Sequence, residues 1–354
     1  MSEFGLIARL TARAGTRSDV ALGIGDDAAL LEVPAGEQLV ACCDALNEGV
    51  HFLAGTEPAD IGWKSLAVNL SDLAAMGARP AWALLSLSLP RADAGFVDGF
   101  MRGFSALADA AGIALVGGDT TSGPLSISVT ALGFAPRGLA LTRGGARPGD
   151  SVFVSGTLGD ASAALERIRA GRAMEGAQAR ALAQRMRRPT PRLALGQALR
   201  GVASAAIDIS DGLLADLGHI ARASGVGIEL DADALPASAA LRALFDRAER
   251  LRCQATGGDD YELVFTVPAE RLEALRALAP QEACGTPQTA ADPGRFPASQ
   301  EQGDRGAASL DLGDLRWTRI GRVVAGEGVR VLDACGAPIR FARAGWEHFS
   351  GGAA

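Results

Sequence analysis

What this sequence lacks already narrows its chemistry. Its five cysteines (Cys42, Cys43, Cys253, Cys284 and Cys335) are an odd number with no C-x-x-C spacing. That argues against a disulfide framework or a structural zinc site and for a reducing compartment. No apolar run approaches the ~20 residues that a membrane span requires. The opening MSEFGLIARLTARAG has no long apolar signal core, so a cytoplasmic location is expected. A net charge of -7 speaks against a general nucleic-acid binder, which carries a basic patch. No G-x-x-x-x-G-K-[ST] loop occurs, so any phosphate must be held by other means. No Ser-His or Cys-His pair suggests a nucleophile with its base, and no solenoid repeat is found.

What is present fits a globular protein. The 354 residues, 48% hydrophobic and 21% charged, can bury a full core and divide into two domains. The 45 glycines imply many tight turns or close approaches of backbone to ligand. In the first third, strands are expected at 39–44, 83–90, 113–119 and 125–134. Helical spacing marks 61–77, with Asp60 as N-cap, and the stretch from Phe96 to Ala111. Gly, Pro and Arg concentrate over 135–150, which places a boundary between 1–137 and 138–354. Beyond it, SVFVSG, VGIELD and YELVFTV suggest strands, while 160–170, 179–200 and 212–224 suggest helices. WTRIGRVV and GVRVLD suggest a closing hairpin. Residues 285–313 have few large apolar side chains and suggest a disordered surface insertion.

The chemistry gathers in short acidic segments: GIGDDAAL (23–30), CCDALNEGVHF (42–52), NLSDLAAMGARP (69–80), VGGDTT (116–121) and DISDGLLADL (208–217). Each is expected to set an Asp at a turn or at the end of an element. Asn69 and Asp72, three apart, share one helix face. Carboxylates converging without His or Cys partners suit a hard, oxygen-preferring cation such as Mg²⁺. Each segment alone also has a plainer reading. A Gly-Asp pair makes a turn, Asp208 or Asp211 can cap the following helix, and His51 can be a hydrogen-bonded loop residue.

Taken in order, and with GGDDYEL (257–263) added, these segments resemble the thiamine-monophosphate kinase family. The resemblance runs from about residue 4 to 267 and resumes at RIGRV and GWEHF. It implies an α/β (α+β), two-domain fold like that of aminoimidazole-ribotide synthetase. An N-terminal mixed sheet with helices would hold metal and nucleotide and form a homodimer, and an α/β domain would follow. It implies ATP-dependent phosphorylation of thiamine monophosphate by direct in-line transfer, with several Mg²⁺ ions and no general base. The implied metal ligands are Asp27, Asp44, Asp72, Asp119, Asp208 and Asp211, with Cys42 and Cys43 standing where the family has hydroxyl residues. ATP contacts fall on Gly118, Asp119, Arg143 and Ser210. Substrate contacts fall on His51, Asp259 (where Glu is common) and Trp346. Arg143 is the first candidate for a direct cationic phosphate contact and Lys64 the second. The rival readings are another ATP-dependent synthetase of the same superfamily and a catalytically silent nucleotide-binding homologue.

Overall fold

The computed structural model describes residues 3–12, 17–278 and 316–347. The expected insertion at 285–313 lies outside the described residues. The architecture is α/β, built on two principal sheets with helices packed against them.

The first sheet has four strands in the order Glu37–Asn47, Ser126–Pro136, Arg79–Leu89 and Ala114–Ser122. It is mixed: the first two pairings are antiparallel and the last is parallel. The strand around Cys42 runs on to Asn47, and the one through Gly117 and Gly118 runs on to Ser122. Asp44 and Asp119 are therefore strand residues, where the sequence suggested element ends. Helices Pro58–Ala75 and Ala94–Ala111 pack against each other at backbone contact. A Cβ on Gly62 would sit 2.0 Å from the Phe100 carbonyl, and one on Gly103 would sit 1.8 Å from that of Ala59. Leu66, Leu70, Leu73, Phe100, Phe104 and Leu107 fill the seam at no more than 1% exposure. Each contributes about 1.5–3 kcal/mol through burial. Asp60 does not cap its helix; the N-cap is Glu57, with Pro58 following, and Asp60 binds Arg188 at 2.5 Å instead.

The second sheet has seven strands, ordered Pro338–Ile339, Gly328–Leu332, Gly227–Asp231, Trp317–Val324, Ser151–Ser155, Leu263–Val267 and Ala205–Asp208. The expected closing hairpin is not formed. Gly227–Asp231 lies between its two strands, antiparallel to Trp317–Val324 and parallel to Gly328–Leu332. The helix expected over 179–200 is two, Ala177–Arg187 and Leu193–Ala198. Pro189 and Pro191 each remove a backbone donor and break it.

The Pro58–Ala75 helix is buried nearly all round because it lies between the two halves of the chain. Gly196 lets the Leu193–Ala198 helix approach so closely that a Cβ there would be 2.0 Å from the Ala74 carbonyl. This central helix and the end of Ala205–Asp208 define the floor of a cleft. Among the described residues, no helix is long and apolar enough to cross a membrane.

Candidate active site

A cleft of about 340 Å³ opens between the two sheets and is lined by Asp44, Asp72, Asp208, Ser210, Asp211, His51, Asp259 and Trp346. Four elements deliver these groups. The Glu37–Asn47 strand brings Asp44, and the Pro58–Ala75 helix brings Asp72. The Ala205–Asp208 strand and the turn after it bring Asp208, Ser210 and Asp211. The Gly-Gly turn before Leu263–Val267 brings Asp259.

The acids are held from behind by neutral groups. Ser71 Oγ donates to Asp208 Oδ2 at 2.7 Å, from one half of the chain to the other. Asn69 Oδ1 accepts from the Asp44 amide at 3.1 Å, which ties the strand to the helix. The DISDG turn folds around Asp216, whose Oδ2 accepts from the amides of Ser210, Asp211 and Gly212, each at 3.1 Å. Asp211 is therefore no helix cap; the N-cap of Leu213–Ser224 is Gly212. Sequence reasoning missed Asp216 and Ser71. The signal for Asp216 was an acid in the first turn of a helix, four residues after a glycine.

The electrostatics are those of a site short of positive charge. Burial, then the charges of Asp208 and Asp44, push the Asp72 carboxyl up to about 7. Burial likewise pushes Asp208 up to about 6, against the pull of the Ser71 hydroxyl. Asp44 is raised by burial. Arg143, exposed on the loop after the first sheet, is near enough to lower Asp72 and Asp208 without cancelling the rise. Burial, then Asp72 and Asp44, also push the Cys42 thiol far up, so it stays neutral and donates to the Asn69 carbonyl at 3.4 Å. A neutral thiol is a poor ligand for a hard cation. Cys43 is exposed on the same strand.

Not every expected residue is brought here. Asp27 is exposed in a loop, where its amide donates to Asp26. Gly118 and Asp119 lie on the Ala114–Ser122 edge strand, while Asp44 is on the opposite edge. Three strand spacings put them about 14 Å apart across the sheet, too far to share one ion. Gly118 also has a local reason to be glycine: its φ is +151°, and a Cβ would meet the Leu85 carbonyl at 1.9 Å. Among the described residues, no three His, Cys, Asp or Glu side chains are gathered as a ready metal site. Lys64, the second phosphate candidate, is already engaged. Its ammonium donates to Asp259 at 2.8 Å and to the His51 carbonyl at 2.9 Å.

The Asp259 turn is strained. Asp259 and Tyr261 adopt φ of 68° and 49°, a left-handed conformation that costs non-glycine residues roughly 1–3 kcal/mol each. Their amides donate to Ser210 and Ile209 carbonyls, each at 2.8 Å, locking the turn onto the DISDG loop. Trp346, 41% exposed, forms the rim, and its amide donates to Asp211.

Comparison with known proteins agrees with the fold. Residues 25–135 match the N-terminal domain of AIR synthase related proteins, and residues 147–334 match their C-terminal domain. This is the class that the fold and the cleft define. A thiamine-monophosphate kinase of Salmonella typhimurium is 44% identical over 350 residues, covering 98% of each chain. The crystal structure of thiamine-monophosphate kinase from Stenotrophomonas maltophilia superposes with a TM-score of 0.78 at 51% identity, over 94% of this chain and 96% of that one. AaThiL complexed with AMPPCP and TMP gives 0.70 at 36% identity, over 98% and 97%. The chain belongs to the thiamine-monophosphate kinase family.

Proposed function

We propose that the protein phosphorylates thiamine monophosphate to thiamine diphosphate, passing the γ-phosphoryl group of ATP directly to the acceptor phosphate. The observation that carries this reading is the cleft itself: Asp44, Asp72 and Asp208, raised by burial and, for Asp72 and Asp208, further by neighbouring carboxylates, open to a volume that holds small molecules. Such a site binds phosphates through cations, because bare carboxylates repel them. Two family features support it, the high identity over the whole chain and a related structure complexed with an ATP analogue and TMP.

The donor chemistry fits Mg²⁺. Asp44, Asp72, Asp208 and Asp211 would hold it, with Cys42 or Cys43 through a carbonyl only; Asp119, three strands away, and Asp27, on its exposed loop, would serve a separate ion. Mg²⁺ bound there would neutralise the charge that keeps two anions apart. The chain's own groups do the rest. Arg143 offers a guanidinium to nucleotide phosphate beside Asp72 and Asp208, and Ser210 offers its hydroxyl at the DISDG turn. Gly118 and Asp119 complete the proposed nucleotide contacts. Asp259 presents a carboxylate to the cationic ring of the acceptor, His51 lies next to it, and Trp346 supplies an aromatic face at the rim. The acceptor is already an oxyanion, so positioning replaces a general base.

The division at 137/138, a cytoplasmic location and a homodimer through the N-terminal sheets belong to the same proposal. Exposed Leu22, Ile24, Leu30, Leu39 and Leu84 in that half support the dimer. The test is ATP turnover by the purified protein with and without thiamine monophosphate. Thiamine diphosphate forming in step with ADP is expected. ADP release that ignores the acceptor would favour a different ATP-using enzyme of the superfamily.

A further inference from the structure

Lys64 is the only lysine in the chain; every other lysine-or-arginine position is an arginine. It is also withdrawn from water, at 4% exposure, on the helix between the two halves. A sequence that uses arginine everywhere else keeps one lysine beside the cleft, in an adjoining pocket that shares His51 and Asp259 with it. The local geometry says why.

An ammonium is a compact charge with three tetrahedral donors, whereas a guanidinium is a wide planar fork. Two of the Lys64 donors are placed, one on Asp259 Oδ2 at 2.8 Å and one on the His51 carbonyl at 2.9 Å. Asp259 Oδ1 meanwhile accepts from the Tyr261 hydroxyl at 3.1 Å. The carboxylate is thus clamped at both oxygens, on a turn whose backbone is itself strained. The same ammonium joins three segments: the central helix, the turn carrying His51 just before it, and the Gly-Gly-Asp turn from the other half. Asp259 remains 34% exposed on its side chain and lines the cleft, so the clamped carboxylate is still accessible to a ligand.

We propose that Lys64 is the positioning residue of the acceptor subsite. Its ammonium fixes the Asp259 carboxylate and the His51 turn in the orientation that receives a cationic heteroaromatic ring. This rests on the proposed function for the identity of the acceptor. It assigns Lys64 no contact with the transferred phosphoryl group. A mere strut between the two halves would affect both substrates alike, whereas a positioning residue affects only the acceptor.

The test uses the full chain with Lys64→Met, which keeps most of the apolar stem and removes the charge, and Lys64→Arg, which keeps the charge but replaces the compact ammonium with a planar fork. Calorimetric binding of thiamine monophosphate without nucleotide is measured beside steady-state kinetics, so that a wrong reaction and a wrong role for Lys64 give different results. Lys64→Met should weaken acceptor binding and raise its KM by about tenfold or more, with kcat and the ATP KM within about twofold. Lys64→Arg should recover less than half of that loss on a logarithmic scale. In an Asp259→Ala background, Lys64→Met should add less than about twofold, because the group it positions is gone. Equal effects on both substrates, a fall in kcat alone, or full additivity with Asp259→Ala would overturn the proposal. A wild-type protein that binds thiamine monophosphate but does not phosphorylate it would refute the reaction and leave the binding arm to decide on Lys64. A wild-type protein that does not bind it would overturn both.

Discussion

Glu262 and Asp72 are both carboxylates withdrawn from water, and their surroundings treat them in opposite ways. Glu262, fully buried, comes with its own counter-charge: Arg185 and Arg192 each donate to it at 2.6 Å, and Ser155 adds a hydroxyl at 2.5 Å. Burial pushes its carboxyl up, but the two guanidiniums outweigh burial and hold it below its ordinary value. Asp72 forms no ion pair among the described residues, and burial, then the charges of Asp208 and Asp44, push its carboxyl up to about 7. Glu262 is supplied with cations by the chain itself, whereas Asp72 has carboxylates for neighbours at an open cleft. Under the proposed function, Asp72 receives a cation from outside.

The sharpest way to break this comparison is to neutralise each acid. Asp72→Asn should lower turnover by at least about 10²-fold, the scale for losing one electrostatic stabiliser in a dry site, without lowering the unfolding temperature. Glu262→Gln should do the reverse. Removing one member of a buried ion network costs about 3–5 kcal/mol, so its unfolding temperature should fall by several degrees while the acceptor KM changes little. If both variants lost stability equally, the distinction between structural and functional acids would collapse.

A second, smaller effect concerns pH. Asp72 and Asp208 have folded values raised to about 7 and about 6, above their ordinary 3.8. The folded form therefore holds protons that the unfolded chain releases. Their contribution to stability is fully present below pH 4 and is lost as pH rises toward 7. Glu262 runs the opposite way: its contribution is present above its ordinary value and is lost on acidification. Metal-free wild-type protein should lose more thermal stability between pH 5 and pH 8 than Asp72→Asn does. Mg²⁺ with ATP should flatten that difference. An identical pH slope in the two proteins would show that Asp72 is not raised.

How far the sequence revealed this follows from the range of the interactions. Asp211 and Asp259 were legible because Asp beside Gly marks turns whatever the tertiary context, whereas Asp44, Asp72 and Asp208 stand beside no glycine and were legible through the ordered family segments. The first sheet and its two helices were legible because their apolar periodicity is local. Ser71 and the clamp by Lys64 were not, since each acts on a group from the other half of the chain, while Asp216 acts locally on the DISDG amides and its first-turn position was the signal overlooked. The false hairpin has the same origin: adjacency in sequence hid the insertion of Gly227–Asp231 between two strands. Pro189 and Pro191 were visible and should have ended the 179–200 helix.

The smallest expected effect is at the cysteines. Cys42 is held as a neutral thiol against the Asn69 carbonyl, and Cys43 is exposed. Cys43→Ser should leave turnover within about twofold, and Asp44→Asn, one residue on, should be severe. The reverse order would bring the thiol into the chemistry and erase the contrast between oxygen donors and their neighbours.

The most direct test of the central claim is label transfer from γ-labelled ATP to thiamine monophosphate across a Mg²⁺ titration, in wild type and Asp72→Asn. The account predicts labelled thiamine diphosphate from the wild type only when both acceptor and Mg²⁺ are present, and almost none from the variant at any Mg²⁺ concentration. Normal transfer by Asp72→Asn with an unchanged Mg²⁺ dependence would contradict it.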